Sequence, residues 1–128
     1  MSYLSEKELR LASRFLFLSM AMIVINQDIE SIRQGPFKIK QPYLDRLEQM
    51  LNLATKERRT LRQSMRRHKV KVVLLEKDEL FSTFLFMGNR REEKRNYFNP
   101  TIKKKVETIF EDLLQKTHEA KENDPLEN

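Results

Sequence analysis

The side chains best suited to catalysis or metal binding are few in this sequence and far apart. His68 and His118 are the only histidines, they lie fifty residues apart, and the chain has no cysteine. A helical metal site typically needs two closely spaced histidines with a carboxylate, and a thiol nucleophile or zinc–thiolate site needs cysteine. Gly35 and Gly88 stand alone, so no glycine-rich phosphate-binding loop is present. We therefore expect no enzymatic activity, no cofactor and no small-molecule substrate.

Positive charge is concentrated in one stretch of the chain. From Lys56 to Lys71 there are eight basic residues and one acid, Glu57, while the whole chain carries a net charge of +6. A row of arginines four residues apart lies on one side of a helix and is suited to contacting phosphates. The predicted basic binding face consists of Arg58, Arg59, Arg62, Arg66, Arg67, Lys69 and Lys71.

Solvation and helix stability can also account for this basic face without any ligand. Arginine and lysine stems can cover an apolar seam while their charges stay in water, and cations near a helix C-terminus interact favourably with its dipole. No aromatic residue is interleaved with the arginines, which argues against base-specific recognition. A second basic cluster follows at Arg90, Arg91, Lys94 and Arg95, and the segment after residue 105 is acidic.

An apolar stretch over residues 15–25 must be positioned by the rest of the chain. It contains one polar residue, Ser19, and no charge, which is typical of a helix covered on all sides. Eleven residues of helix span about 17 Å, too short for the ~30 Å hydrocarbon layer of a bilayer. We expect a central helix inside the protein.

Capping and turn residues predict the boundaries of the helices. Ser5 with Glu8 forms a capping-box pattern, and Gly35, as a left-handed residue after the last turn, would end the first helix. Pro42 suits the start of a second helix, and Asn99 would cap a third that begins at Pro100. Residues 69–87 alternate and contain a polar break, which predicts a β-hairpin, although a helical face also fits. Residues 90–96 are expected to form a charged loop.

Apolar residues of the second helix recur at spacings of three and four, as in a heptad seam. Antiparallel packing on the first helix within one chain explains this seam, and an intermolecular coiled coil is the alternative. The predicted helix interface consists of Leu44, Leu47, Leu51, Leu61 and Met65.

These observations predict a mainly α (α+β) protein with two long antiparallel helices, a β-hairpin and a C-terminal helix. Residues 1–122 are expected to form a single domain, with a disordered tail over 123–128. We expect a cytoplasmic, non-enzymatic interaction protein, regulatory in character, that forms a homodimer through its long helices or binds another protein. The alternative is a nucleic-acid-binding protein that uses the face from Lys56 to Lys71. A third interpretation, less favoured, places that face on anionic lipid.

Overall fold

A computed structural model describes residues 3–122, with side chains through residue 120. The elements are α1 (Glu6–Gln34), α2 (Gln41–His68), β1 (Lys71–Lys77), β2 (Phe81–Gly88), β3 (Arg91–Phe98) and α3 (Asn99–Glu122). The predicted fold class, with two long helices, a hairpin and a C-terminal helix, is confirmed. The tail predicted over 123–128 lies outside the described residues.

The boundaries of α1 follow from its flanking residues. The amide of Glu8 donates to Ser5 Oγ at 3.1 Å, and the amide of Ser5 donates to Glu8 Oε1 at 2.8 Å, which completes the predicted capping box. The helix ends before Gly35 as expected, but the predicted left-handed conformation was wrong. Gly35 is extended, with φ −79°. A Cβ atom there would lie 2.7 Å from both the Phe37 ring and the Ser31 carbonyl oxygen, so close packing explains the glycine.

Helices α1 and α2 pack antiparallel along most of their length. Arg14 near the start of α1 donates two hydrogen bonds to Glu57 of α2, from Nε to Oε2 at 2.6 Å and from Nη2 to Oε1 at 2.9 Å. Near the other end of α1, Arg33 lies 3.1 Å from Glu48. The later residue of α1 pairs with the earlier residue of α2, as antiparallel packing requires, and the two ion pairs join the helices at separate points.

The Arg14–Glu57 pair leads to a prediction about acid stability. Hydrogen bonds from Arg14, with its positive charge, hold the pKa of Glu57 below its ordinary value of 4.5 despite partial burial. A carboxylate whose pKa is lower in the folded state stabilises the fold fully above its unfolded-state pKa, and this contribution disappears as pH falls through the folded-state value. We expect the free energy of unfolding, measured by urea titration, to decrease as pH falls below 4.5, and to decrease less in Glu57→Gln. Glu111→Gln, which removes an exposed carboxylate of α3, is the matched control and should keep the wild-type pH dependence.

The apolar stretch over residues 15–25 lies at the centre of the helical layer. Most of its side chains are buried or half-buried against α2, α3 and the sheet, while Ile23 is an exception at 58% exposure. Its fully or nearly fully buried members are Phe17, Leu18, Ala21 and Ile25. Within the described part of the chain, no helix has both the length and the apolar character needed to cross a bilayer.

The predicted hairpin is present, and a third strand extends it. The sheet is antiparallel in the order β1–β2–β3, so the charged loop predicted over residues 90–96 was wrong. The charged residues of β3 pair with the apolar strand β2, for example Lys94 with Leu85 and Glu93 with Phe86. Charge does not exclude an edge strand, because one edge and one face of such a strand remain in water. The buried apolar residues of β2, Phe84 and Phe86, pack against α1.

Helix α3 closes the fold by packing on both α1 and α2. The helix begins at Asn99, but this side chain does not act as the predicted cap. Asn99 Nδ2 donates to the carbonyl oxygens of Asp78 and Glu79, and its Oδ1 accepts from Ser82 Oγ at 2.7 Å. Asn99 thus fixes the β1–β2 turn to the start of α3.

Candidate functional site

The end of α2 and the start of β1 are joined by one left-handed residue. Lys69 has φ 55° and ψ 44°. The amide of Lys69 donates a hydrogen bond to the carbonyl oxygen of Arg66 at 3.3 Å, and the amide of Val70 donates one to the carbonyl oxygen of Met65 at 2.8 Å. This pattern ends helices whose chain reverses direction, and glycine is the usual residue at the left-handed position. The left-handed conformation at Lys69 therefore ends α2 and redirects the chain into β1.

A groove of about 720 Å³ lies between α2 and β1. We call it the basic groove. Its apolar wall includes the Phe15 ring of α1 together with Val72 and Val73 of β1, and Met65 and Val70 are buried beneath it. Its cationic side chains come from the predicted basic face and are Arg58, Arg62, Arg66, Lys69 and Lys71.

Arg58 is held in place by α1. Its Nε donates to Ser19 Oγ at 2.8 Å, and Ser19 Oγ donates in turn to the carbonyl oxygen of Phe15 at 2.7 Å. The Arg58 guanidinium carbon lies 4.6 Å from the centroid of the Phe15 ring, which is a cation–π contact. Ser19, the single polar residue of the apolar stretch, therefore holds Arg58 in position beside the groove.

The remaining cations of the basic groove are exposed. Among the side chains that the structure describes, none of those lining the groove is acidic. Among the described residues, no ion pair involves Arg62, Arg66, Lys69 or Lys71, whereas Arg14 and Arg33 on α1 are paired with acids. Since their charges are not neutralised inside the protein, these four side chains can bind an external anion.

Two members of the predicted basic face lie outside the groove. Arg59 is exposed on α2 and does not line it. Arg67 points to the other side of the helix, where it donates to Ser64 Oγ at 3.1 Å and lines a separate cavity with Lys7 and His68. A helix turns by about 100° per residue, so Arg59 and Arg67, each next in sequence to an arginine of the groove, point in other directions.

The second basic cluster is divided among different surroundings. Arg90 occupies the β2–β3 turn with φ 61°. Arg91 lies 3.7 Å from Glu8, and Arg95 lies 2.7 Å from Glu93. Lys94 pairs with Leu85 on the sheet face opposite the buried Phe84 and Phe86.

Both basic clusters reach the start of α1, near Lys7 and Glu8. Hydrogen bonds from Ser5, followed by the charges of Arg91 and His68, lower the pKa of Glu8, although desolvation opposes this. Arg67 of α2 lines a cavity together with Lys7, and Arg91 of β3 lies 3.7 Å from Glu8, so both helix and sheet bring an arginine to the start of α1.

A second cavity, of about 590 Å³, lies between α1, β3 and α3. It is also lined by cations, including Arg14, Arg95 and Lys105. Arg14 and Arg95 are paired with Glu57 and Glu93, and Lys105 Nζ lies 5.5 Å from the Phe17 ring centroid. Internal contacts thus satisfy much of its positive charge, and the basic groove is the better anion site. Within residues 3–122, no three histidine, aspartate or glutamate side chains are placed to hold a metal ion.

The predicted helix interface packs within the chain. Leu44, Leu47 and Met65 are buried, and Leu51 and Leu61 are partly buried against the same core. Sequence reasoning missed Phe15, Ser19 and Val72 as parts of the site, because Phe15 and Ser19 belong to α1 and Val72 carries no charge.

Comparison with known proteins places the chain in a family. The pattern that defines the YhjD protein family matches residues 3–118. The chain belongs to the YhjD family. It is also similar to the uncharacterized protein YhjD of Bacillus subtilis (strain 168), with 33% identity over 110 residues, which cover 86% of this chain and 92% of that protein. None of the solved structures matches it.

Proposed function

We propose that this YhjD-family protein is a non-enzymatic, cytoplasmic interaction protein of regulatory character that binds an acidic segment of another protein in the basic groove. The observation that carries the proposal is the set of exposed cations around the groove, which border an apolar wall and form no ion pair within the described part of the chain. The cations favour a negatively charged partner, and the apolar wall favours one that also presents hydrophobic side chains.

The groove is tested by reversing its charge. We expect Arg62→Glu with Arg66→Glu to weaken binding of a short, labelled peptide of alternating valine and glutamate by about tenfold or more, because attraction becomes repulsion. Fluorescence anisotropy at low and moderate salt gives the affinity, and circular dichroism checks that both exposed substitutions leave the fold intact.

The matched control is Lys56→Glu with Arg59→Glu. It makes the same change in net charge on the same helix but outside the groove. This control should retain most of the affinity. Equal losses in the two double variants would show that overall charge, and not the groove, attracts the peptide.

Nucleic acid is the second candidate partner. It is supported by the meeting of the two basic clusters at the start of α1, which extends positive charge beyond the groove. Binding of this kind would show a steep salt dependence and would weaken equally in both double variants, since phosphate contacts are spread over a surface. Duplex DNA and RNA are therefore measured beside the peptide.

We also propose that the protein forms a homodimer. The helix interface predicted for this contact is instead packed in the core of a single chain. Exposed apolar side chains lie instead near the α1–α2 connection, where Phe37, Ile39 and Tyr43 are 51%, 67% and 59% exposed. We expect light scattering at micromolar concentration to give the mass of two chains, and Ile39→Ser with Phe37→Ser to give the mass of one. A one-chain mass for the wild type would remove self-association from the proposal.

A further inference from the structure

Strand β1 has an open edge beside the basic groove. It is the first strand of the sheet, and within residues 3–122 it pairs with β2 alone. Backbone N–H and C=O groups on the outer edge of such a strand have no partner in the sheet and can pair with another strand. Val72 and Val73 of this strand also line the groove, so the edge and the groove form one surface.

The two edge strands of the sheet differ in their suitability for pairing. Strand β3 carries charged residues along most of its length, which discourages pairing with another strand. In contrast, β1 presents the apolar run Val72, Val73, Leu74 and Leu75, and the last three are 42%, 52% and 45% exposed. An apolar open edge of this kind is unusual unless a partner covers it.

An irregularity in β1 limits where a partner strand can pair. The register with β2 shifts between Leu74 and Glu76, which marks a bulge at Leu75. A bulge bends a strand and interrupts regular pairing, so the regular edge runs from Lys71 to Leu74, next to the groove. A second copy pairing symmetrically along β1 would meet the bulge near the centre of the contact. A different chain does not face this difficulty.

From these observations we propose that the acidic partner segment binds as an added strand on the edge of β1 from Lys71 to Leu74, with its carboxylates facing Arg62 and Arg66. The inference rests on the proposed function of the basic groove. Alternate residues of a strand are about 6.6 Å apart, and residues four apart on a helix rise by about 6 Å, so alternate carboxylates match the arginine spacing. Because successive side chains of a strand point to opposite faces, the remaining side chains of the segment would lie on the face of the sheet that carries Val73.

Backbone methylation tests this mode of binding directly. Only every second residue of an added strand pairs with the edge of β1. We use two versions of the alternating valine–glutamate peptide, one N-methylated at odd positions and one at even positions. We expect one version to lose about tenfold or more in affinity and the other to stay within about threefold of the unmodified peptide. Equal affinities of the two versions would overturn the proposal.

A helical peptide provides the competing geometry. A peptide with the same number of glutamates, spaced four apart among alanines, carries the same charge on one helix face. The added-strand mode requires this peptide to bind at least about tenfold more weakly than the alternating one. Tighter binding of the helical peptide would overturn the proposal in favour of a helical partner, and tighter binding of duplex DNA would overturn it in favour of nucleic acid.

Hydrogen exchange locates the contact on the protein. The amides of β1 between Lys71 and Leu74 should exchange more slowly when the alternating peptide is bound, while those of β3 should not change. Unchanged exchange in β1 with measurable binding would show that the groove binds the peptide without strand pairing. If no acidic peptide binds at all, the proposed function fails, which is a different outcome from failure of the strand mode alone.

Discussion

Phe86→Ala should lower the free energy of unfolding by about 3–5 kcal/mol, a large part of the stability of a typical domain. Phe86 is fully buried on the face of β2 that packs against α1. Removing its ring takes apolar surface out of the core and leaves a cavity that neighbouring side chains fill only in part. Urea denaturation, monitored by circular dichroism, measures this change in the free energy of unfolding.

Phe81→Ala is the matched control for Phe86→Ala. It truncates the same residue type in the same strand, but Phe81 is 39% exposed and contacts Phe98, with ring centroids 5.6 Å apart. We expect a loss of about 1 kcal/mol. Similar losses for the two variants would mean that the sheet does not pack on α1 through the Phe86 face.

Leu47→Asp should destabilise the protein by about 4 kcal/mol or more. Leu47 is 7% exposed and packs in the core between α1 and α2, so aspartate would place an unpaired charge among apolar side chains. Thermal unfolding measures the effect. Gln49→Asp introduces the same residue at an exposed position of the same helix and should change stability by less than about 0.5 kcal/mol. A normal melting curve for Leu47→Asp would show that the seam is misplaced.

Local signals in the sequence were sufficient to predict where the helices lie. The capping box at Ser5 and the proline at the start of α2 act through neighbouring residues, so the boundaries could be read without knowledge of the fold. The third strand could not be read in this way. β3 has few apolar residues, and its pairing depends on β2, which supplies both the hydrogen bonds and the buried face.

The candidate site was predictable only in part. Charge density identified the arginines of α2, and helical spacing correctly grouped Arg58, Arg62 and Arg66. The apolar wall was not predictable, because Phe15 and Val72 reach the arginines only through tertiary packing. The left-handed turn at Lys69 was also hidden, since lysine gives no local indication of this conformation.

The concentration of unpaired cations at one end of the molecule has a kinetic consequence. Long-range attraction orients a charged partner before contact, so an anionic segment would approach the groove more often than random collision allows. The association rate should therefore depend strongly on ionic strength. Once the partner is bound, the apolar wall excludes salt and water, and the residence time of the complex should depend on ionic strength much less.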